Sequence, residues 1–251
     1  MEKYMKRLFA VILCTSAMIA CSPTPKTVDT ATNDQVIADK TVDKAVNAPA
    51  EAADLPADLK ATEKVLEATE PYCTFTFRYP AFGIDAIDKS IEQYAKEAFE
   101  QSKQSIAELY GDQVPNEELA KYYHSMEYEI VRIGADGLDI LYTHDGYTGG
   151  AHGFFYYDTQ MIDKSGKVLT VADIYDDVTA GLKHLSEESR RLLPQQIDNA
   201  EGIEDWIESG TEPDLEHFNN VLRTDTGIRV YFSPYQVAPW ADGPQWVEFE
   251  K

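Results

Sequence analysis

The chain has 251 residues and carries 44 acidic against 22 basic side chains, a formal net charge of −22. A surface of that sign makes nucleic acid and other polyanions poor partners; it attracts cationic proteins, at a rate that falls as salt rises. The length suits a single domain of up to about 200 residues with accessory segments.

Residues 1–20 read as an export signal. Lys3, Lys6 and Arg7 precede an apolar run from Leu8 to Ala20, shorter than the roughly 20 residues that span a membrane. Met18-Ile19-Ala20-Cys21 resembles a bacterial lipobox, in which the cysteine after a small residue is acylated and becomes N-terminal; Met18 stands where leucine is usual. Cys21 is the expected lipid anchor, and Ser22 after it resembles the class sorted to the outer membrane. The alternative is a cleaved soluble signal with Cys21 incidental. Cleavage removes one acid and three bases, leaving 43 acids against 19 bases. With Cys14 removed and Cys21 acylated, Cys73 stands alone and no internal disulfide can form.

Residues 21–70 are rich in Ala, Thr, Asp, Lys and Pro and contain no aromatic residue, a composition that buries too little surface to offset ordering entropy. They are expected to form a tether with an average reach of roughly 40 Å, in which Leu55, Leu59 and Leu66 could support a short helix. The folded domain is expected over 71–251, in halves 71–145 and 146–251.

Within it, Tyr72 to Tyr79 alternates as a strand, placing Cys73 on one face with Phe75 and Phe77 as a buried, inert thiol. Apolar residues from Ile84 to Leu109 recur at helical spacing, with Asp85 available as N-cap and Gly111 as a stop. Strands Tyr122–Ile133 and Leu138–His144 flank Gly134-Ala135-Asp136-Gly137, a hairpin signal. Phe154–Ile162 and Val168–Thr170 continue the meander. A helix over Thr179–Leu193 ends at Pro194, and Ile203–Ile207 suggests a further helical turn. Phe218–Leu222 and Gly227–Phe232 form a hairpin, and Gln245–Phe249 is the last strand. The pattern indicates an α+β fold, a mainly antiparallel sheet packed against one long and one shorter helix.

Chemistry-bearing motifs are few. Tyr147-Thr148-Gly149-Gly150-Ala151-His152-Gly153 is neither a phosphate loop nor a dinucleotide fingerprint, and its glycines suggest dihedrals closed to other residues. His152 reads first as a structural histidine bonded to backbone, then as a ligand contact, and least as a base or metal ligand with His144 and Asp145. No nucleophile elbow and no zinc-spaced histidine pair occur. Asp136-x-x-Asp139 and Asp173-x-x-Asp176-Asp177 offer oxygens to calcium but match no EF-hand loop. No cofactor and no metal are expected. The segment from Tyr231 to Gly243 packs aromatics between two prolines; Phe232 and Tyr235 suit a core, whereas Trp240 suits a core or a binding ridge.

Three motifs in order, Gly149–His152, Ser165–Ile174 and Gly227–Pro239, resemble the RsiV-like extracytoplasmic family. Its C-terminal domain, of unknown function, also occurs in PdaC-type peptidoglycan deacetylases. The resemblance covers about residues 71–251 and implies a non-catalytic α+β binding domain outside the cytoplasm. In RsiV this domain is a receptor for lysozyme. Here a lipoprotein signal is expected in place of a transmembrane helix, with neither a cytoplasmic segment nor a deacetylase domain expected, so sigma-factor control and deacetylation are not implied. The expectation is a lipid-anchored envelope protein, in the outer membrane facing the periplasm. Its domain would bind cell-wall material or a cationic muramidase such as lysozyme, with Tyr147, Gly149, Gly150, His152, Tyr235 and Trp240 as binding or fold-marking residues. The alternatives are a hydrolase using His152 with a nearby carboxylate or metal, and a structural lipoprotein.

Overall fold

The structure, a computed structural model, describes residues 52–56, 58–111, 121–197 and 202–251. The expected export signal and the anchor Cys21 lie outside the described residues, as does most of the expected tether. Strands β1 (Thr62–Glu70), β2 (Cys73–Ala81), β3 (Tyr123–Gly134), β4 (Gly137–Tyr147), β5 (Phe154–Asp163) and β6 (Val168–Leu169) form one sheet in sequential order. Its pairs are antiparallel except β2 with β3, which run parallel. Parallel neighbours need a crossover, and helix α1 (Asp85–Tyr110) supplies it. After α2 (Val171–Ile174) and α3 (Val178–Leu192) come α4 (Glu204–Gly210) and a second, antiparallel sheet of β7 (Val221–Arg223), β8 (Ile228–Phe232) and β9 (Gln245–Phe249). The fold is α+β, as the sequence pattern indicates.

Three local expectations need correction. The ordered structure begins before residue 71: β1 pairs along its length with β2, from Thr62 opposite Ala81 to Glu70 opposite Cys73, and Leu66 lies in this strand and not in a helix. Leu55 is buried and its N–H donates to the Ala135 carbonyl at 3.0 Å. Composition alone misses this because β1 is charged and exposed, and is held by backbone hydrogen bonds to an aromatic neighbour. The cap of α1 is also one residue earlier, at Ile84; the carboxylate that organises the turn is Asp88, which accepts from the N–H groups of Phe82 and Gly83 at 2.7 and 2.9 Å. Finally, the two halves do not divide at residue 145, since β4 pairs with β5 across it. One core gathers residues between Leu55 and Ile162, and another gathers Val171 to Phe249.

The run Leu138-Asp139-Ile140-Leu141-Tyr142 on β4 is buried at every position, the mark of a strand covered on both faces. Leu138, Ile140 and Tyr142 share the core with Ile87, Ile91, Ala95 and Phe99 of α1. Leu141, on the other face, packs with Met161, Leu222 and Tyr231, which joins the first sheet to the second. Alternation along a strand places Asp139 on that same inter-sheet face.

Asp139 is fully buried and is the polar centre of the junction. It accepts from the Arg223 backbone N–H at 3.1 Å and from Arg223 Nε at 3.1 Å, and Arg132 Nη1 stands 3.4 Å away. A bulge between Ile130 and Arg132 interrupts the β3 register next to Arg132, which then pairs with Asp139. Asp136 in the hairpin turn takes the remaining arm of each guanidinium, at 2.5 Å from Arg132 Nη2 and 2.9 Å from Arg223 Nη1. Burial pushes the Asp139 carboxyl above its ordinary value despite Arg223 and Arg132, whereas these arginines hold the more exposed Asp136 below its ordinary value against its own desolvation. Removing one partner of such a cluster strands the others in the interior. Asp139→Ala is therefore expected to lower stability by about 3–5 kcal/mol in denaturant unfolding; a loss under about 1 kcal/mol would show that the junction holds without it.

Candidate ligand-binding surface

The Tyr147–Gly153 loop joins β4 to β5, the Ser233–Gly243 segment follows β8, and α4 lies between the two sheets in sequence. In space their aromatic residues meet. The His152 ring stacks on Trp240 with centroids 4.5 Å apart and planes 18° apart, and Tyr235 Oη stands 3.3 Å from His152 Nε2. Tyr235 lies 6.0 Å from Trp240 and 6.4 Å from Trp206 of α4. Trp206 and Tyr235 keep 39% and 46% of their surface exposed, which places them on a rim and not in a core. The core expectation for Tyr235 is thus corrected, while Phe232 is fully buried as expected.

Backbone geometry explains how these rings are presented. Gly149 and Gly150 have φ of 90° and 98°, and a side chain at Gly149 would strike Tyr122 Oη, only 2.6 Å from an ideal Cβ. Tyr147 Oη donates to the Gly150 carbonyl at 3.1 Å, and the Tyr110 hydroxyl donates to the Thr148 carbonyl. His152 Nδ1 pairs with the Gly153 carbonyl at 2.7 Å, a backbone bond of the kind read for it from sequence. Tyr235, with φ of 71°, is the non-glycine residue of positive φ among the described residues. Its strained turn is closed by Tyr235 N–H to Ala238 and Gln236 N–H to Ser233, each 3.1 Å. The Gln236 amide then donates to the Gly210 and His217 carbonyls at 3.1 and 3.0 Å, fastening the turn to α4 and the loop after it.

The catalytic grouping of His152 with His144 and Asp145 does not form. His144 is buried under Tyr156, which stacks on it at 4.4 Å, while Asp145 is exposed and bonded by Tyr123. The aspartate pairs considered for calcium have other work: Asp136 and Asp139 are held by arginines, and Asp173 forms a capping box with Thr170 at the start of α2. Glu212, Asp214 and His217 stand close together, but one Asp214 oxygen already accepts from the Glu216 and His217 N–H groups and pairs with His217 Nδ1. Cys73 is buried, and burial pushes its thiol up to about 12.

A second polar cluster has no signature in sequence spacing. His124 Nε2 pairs with His144 Nδ1 at 3.1 Å; His144 Nε2 faces Asp158 Oδ2 at 3.5 Å and Tyr94 Oη at 3.4 Å; and Tyr94 Oη donates to Asp158 at 2.8 Å. Burial pulls His124 down to about 4 and His144 well below its ordinary value, so both are neutral at neutral pH. Burial also pushes Asp158 up to about 6, although its side chain is still 43% exposed and water reaches it.

Residues 172–251 match the family model described as a protein of unknown function, DUF3298. The chain carries a DUF3298 domain there. A DUF3298 family protein from Pseudomonas aeruginosa shares the fold at 14% identity and a TM-score of 0.52, with 75% of this chain and 90% of that one covered. A DUF3298 member from Bacteroides fragilis matches at 18% identity and a TM-score of 0.49, over 80% of this chain and 92% of its own. No curated protein matches. These matches indicate no enzymatic family. The DUF3298 segment contributes Trp206, Tyr235 and Trp240, whereas His152 and its loop precede it.

Tyr235 offers a way to separate the surface from the fold. A left-handed conformation costs a non-glycine residue roughly 1–2 kcal/mol, while glycine adds about 0.5–1 kcal/mol of chain entropy. Tyr235→Gly is therefore expected to change stability by no more than about 1 kcal/mol in thermal or denaturant unfolding while removing the central ring of the cluster. A loss above about 3 kcal/mol would make Tyr235 a packing residue.

Proposed function

We propose that this protein is exported, lipid-anchored at Cys21 to the cell envelope with its domain facing the periplasm, and binds a ligand without catalysis. The aromatic cluster of His152, Trp206, Tyr235 and Trp240 is the docking surface. The observation that carries this reading is the character of the three segments that build it. Residues 145–154, 202–219 and 233–244 contain eight carboxylates and no lysine or arginine. Exposed tryptophan and tyrosine are the residues that anchor interfaces, and their faces attract cations. An acidic margin adds long-range attraction for a basic protein. The most specific partner of this kind is a cationic muramidase such as lysozyme, whose binding could inhibit it. The resemblance to RsiV-like domains points the same way.

A hydrolase built on His152 has less support. Its Nδ1 is engaged by the Gly153 carbonyl, and among the described residues its ring meets Tyr235 and Trp240.

Titration calorimetry of the purified protein with lysozyme tests the binding. Heat and saturable binding are expected at low salt, with affinity falling at moderate salt because screening shortens the reach of the acidic field. Absence of heat at both salt concentrations would exclude lysozyme as the partner.

A further inference from the structure

The cluster of Tyr94, His144, Asp158 and His124 uses none of the residues of the aromatic surface, and its geometry is that of convergence more than pairing. Tyr94 Oη, His144 Nε2 and Asp158 Oδ2 form a triangle with sides of 2.8, 3.4 and 3.5 Å. Only the shortest side is a strong hydrogen bond; the other two exceed the usual range for O–H···O and N–H···O contacts. Ligand atoms bound at about 2.1 Å to one ion stand roughly 3.0 Å apart in an octahedral arrangement and about 3.4 Å apart in a tetrahedral one. His144 Nε2 stands at the tetrahedral spacing from both oxygens, at 3.4 and 3.5 Å, whereas the Tyr94–Asp158 side, at 2.8 Å, has to open as an ion takes the place of their hydrogen bond.

We propose that Tyr94, His144 and Asp158 form a binding site for a divalent transition-metal ion of the zinc class, with His124 as the group that orients His144. The His144 imidazole and the Asp158 carboxylate are ordinary zinc ligands; the Tyr94 phenolate is the uncommon third member of the set. Asp158, whose side chain is 43% exposed, is the member of the cluster that solvent reaches.

The histidine pair supplies the required tautomer. If His144 Nδ1–H donates to His124 Nε2, the His144 Nε2 lone pair is free to bind the ion, and a ligating imidazole held through its other nitrogen is the usual arrangement. The ring is fixed further by stacking on Tyr156 and by the edge contact with Phe77. Burial and the adjacent Asp158 hold the Tyr94 hydroxyl well above its ordinary value, so the ion has to displace that proton to solvent; the phenolate and the Asp158 carboxylate would then balance its two charges. A neutral, half-buried site of this kind avoids leaving a charge unpaired beside the core. Tyr94 lies on α1, His144 on β4 and Asp158 on β5, so the ion would tie the helix to two strands of the first sheet.

Zinc titration of the chelator-treated protein tests the site. The expected result is one ion per chain, a tyrosinate difference band in the near ultraviolet, and a raised Tm. Asp158→Asn keeps an acceptor for Tyr94 but loses the charge, and Tyr94→Phe removes the phenolate. Each should stay folded by circular dichroism and weaken zinc binding by about tenfold or more. Failure of the parent protein to bind zinc stoichiometrically would overturn the proposal. So would binding without the tyrosinate band, or binding unchanged in both variants, which would place the ion elsewhere, for instance at Glu212, Asp214 and His217.

Discussion

The junction between the two sheets depends on a carboxylate that has no water to fall back on. Asp139 sits on the central strand β4, fully buried, and its oxygens are engaged by the backbone and guanidinium of Arg223 from the second sheet and approached by Arg132 from the neighbouring strand. A buried pair of this kind contributes less to net stability than apolar packing of the same volume, but it tolerates little displacement, because any slip leaves charge uncompensated. It therefore acts as a register pin between layers that Leu141, Met161, Leu222 and Tyr231 hold together by burial alone. Apolar contacts are non-directional, whereas the Asp139 hydrogen bonds require one alignment of β4 with Arg223.

That constraint matters because the aromatic surface is assembled from both sides of the junction. His152 belongs to the hairpin of the first sheet, while Tyr235 and Trp240 follow β8 of the second. Further polar ties run along the same seam: Asn220 donates to the Tyr157 carbonyl at 3.0 Å, and Ser233 Oγ accepts from the Tyr157 N–H at 3.4 Å. A stack of His152 on Trp240 at 4.5 Å survives only if the two sheets keep their relative position. The surface is thus preorganised by the core, and a partner binding there need not meet the cost of ordering it.

Much of the fold was legible in the sequence because its signals are local. The periodic apolar positions of α1, the Asp136-Gly137 turn and the strand of Gln245–Phe249 each follow from a few adjacent residues, and each is found where expected. The strand β1 was not legible, since its charged, exposed sequence carries no burial pattern and its order comes from β2. The aromatic surface was legible in parts: His152, Tyr235 and Trp240 each stood out, but Trp206 did not, and no local pattern says that the three loops meet. The Tyr94, His144 and Asp158 grouping was the least accessible, because its members are 50 and 14 residues apart and are juxtaposed only by the crossover of α1 onto β4 and β5. Conversely, proximity in sequence misled for His144, Asp145 and His152, because alternation along β4 sends His144 and Asp145 to opposite faces.

The central claim is that the loops at 145–154 and 233–244, with α4, form one preorganised docking surface for a basic partner. Amide hydrogen exchange of the purified protein, with and without lysozyme at low salt, addresses it directly. Slowed exchange confined to those two loops and to residues 204–210 is the result the account predicts. Binding that protects other segments and leaves these unchanged would contradict it.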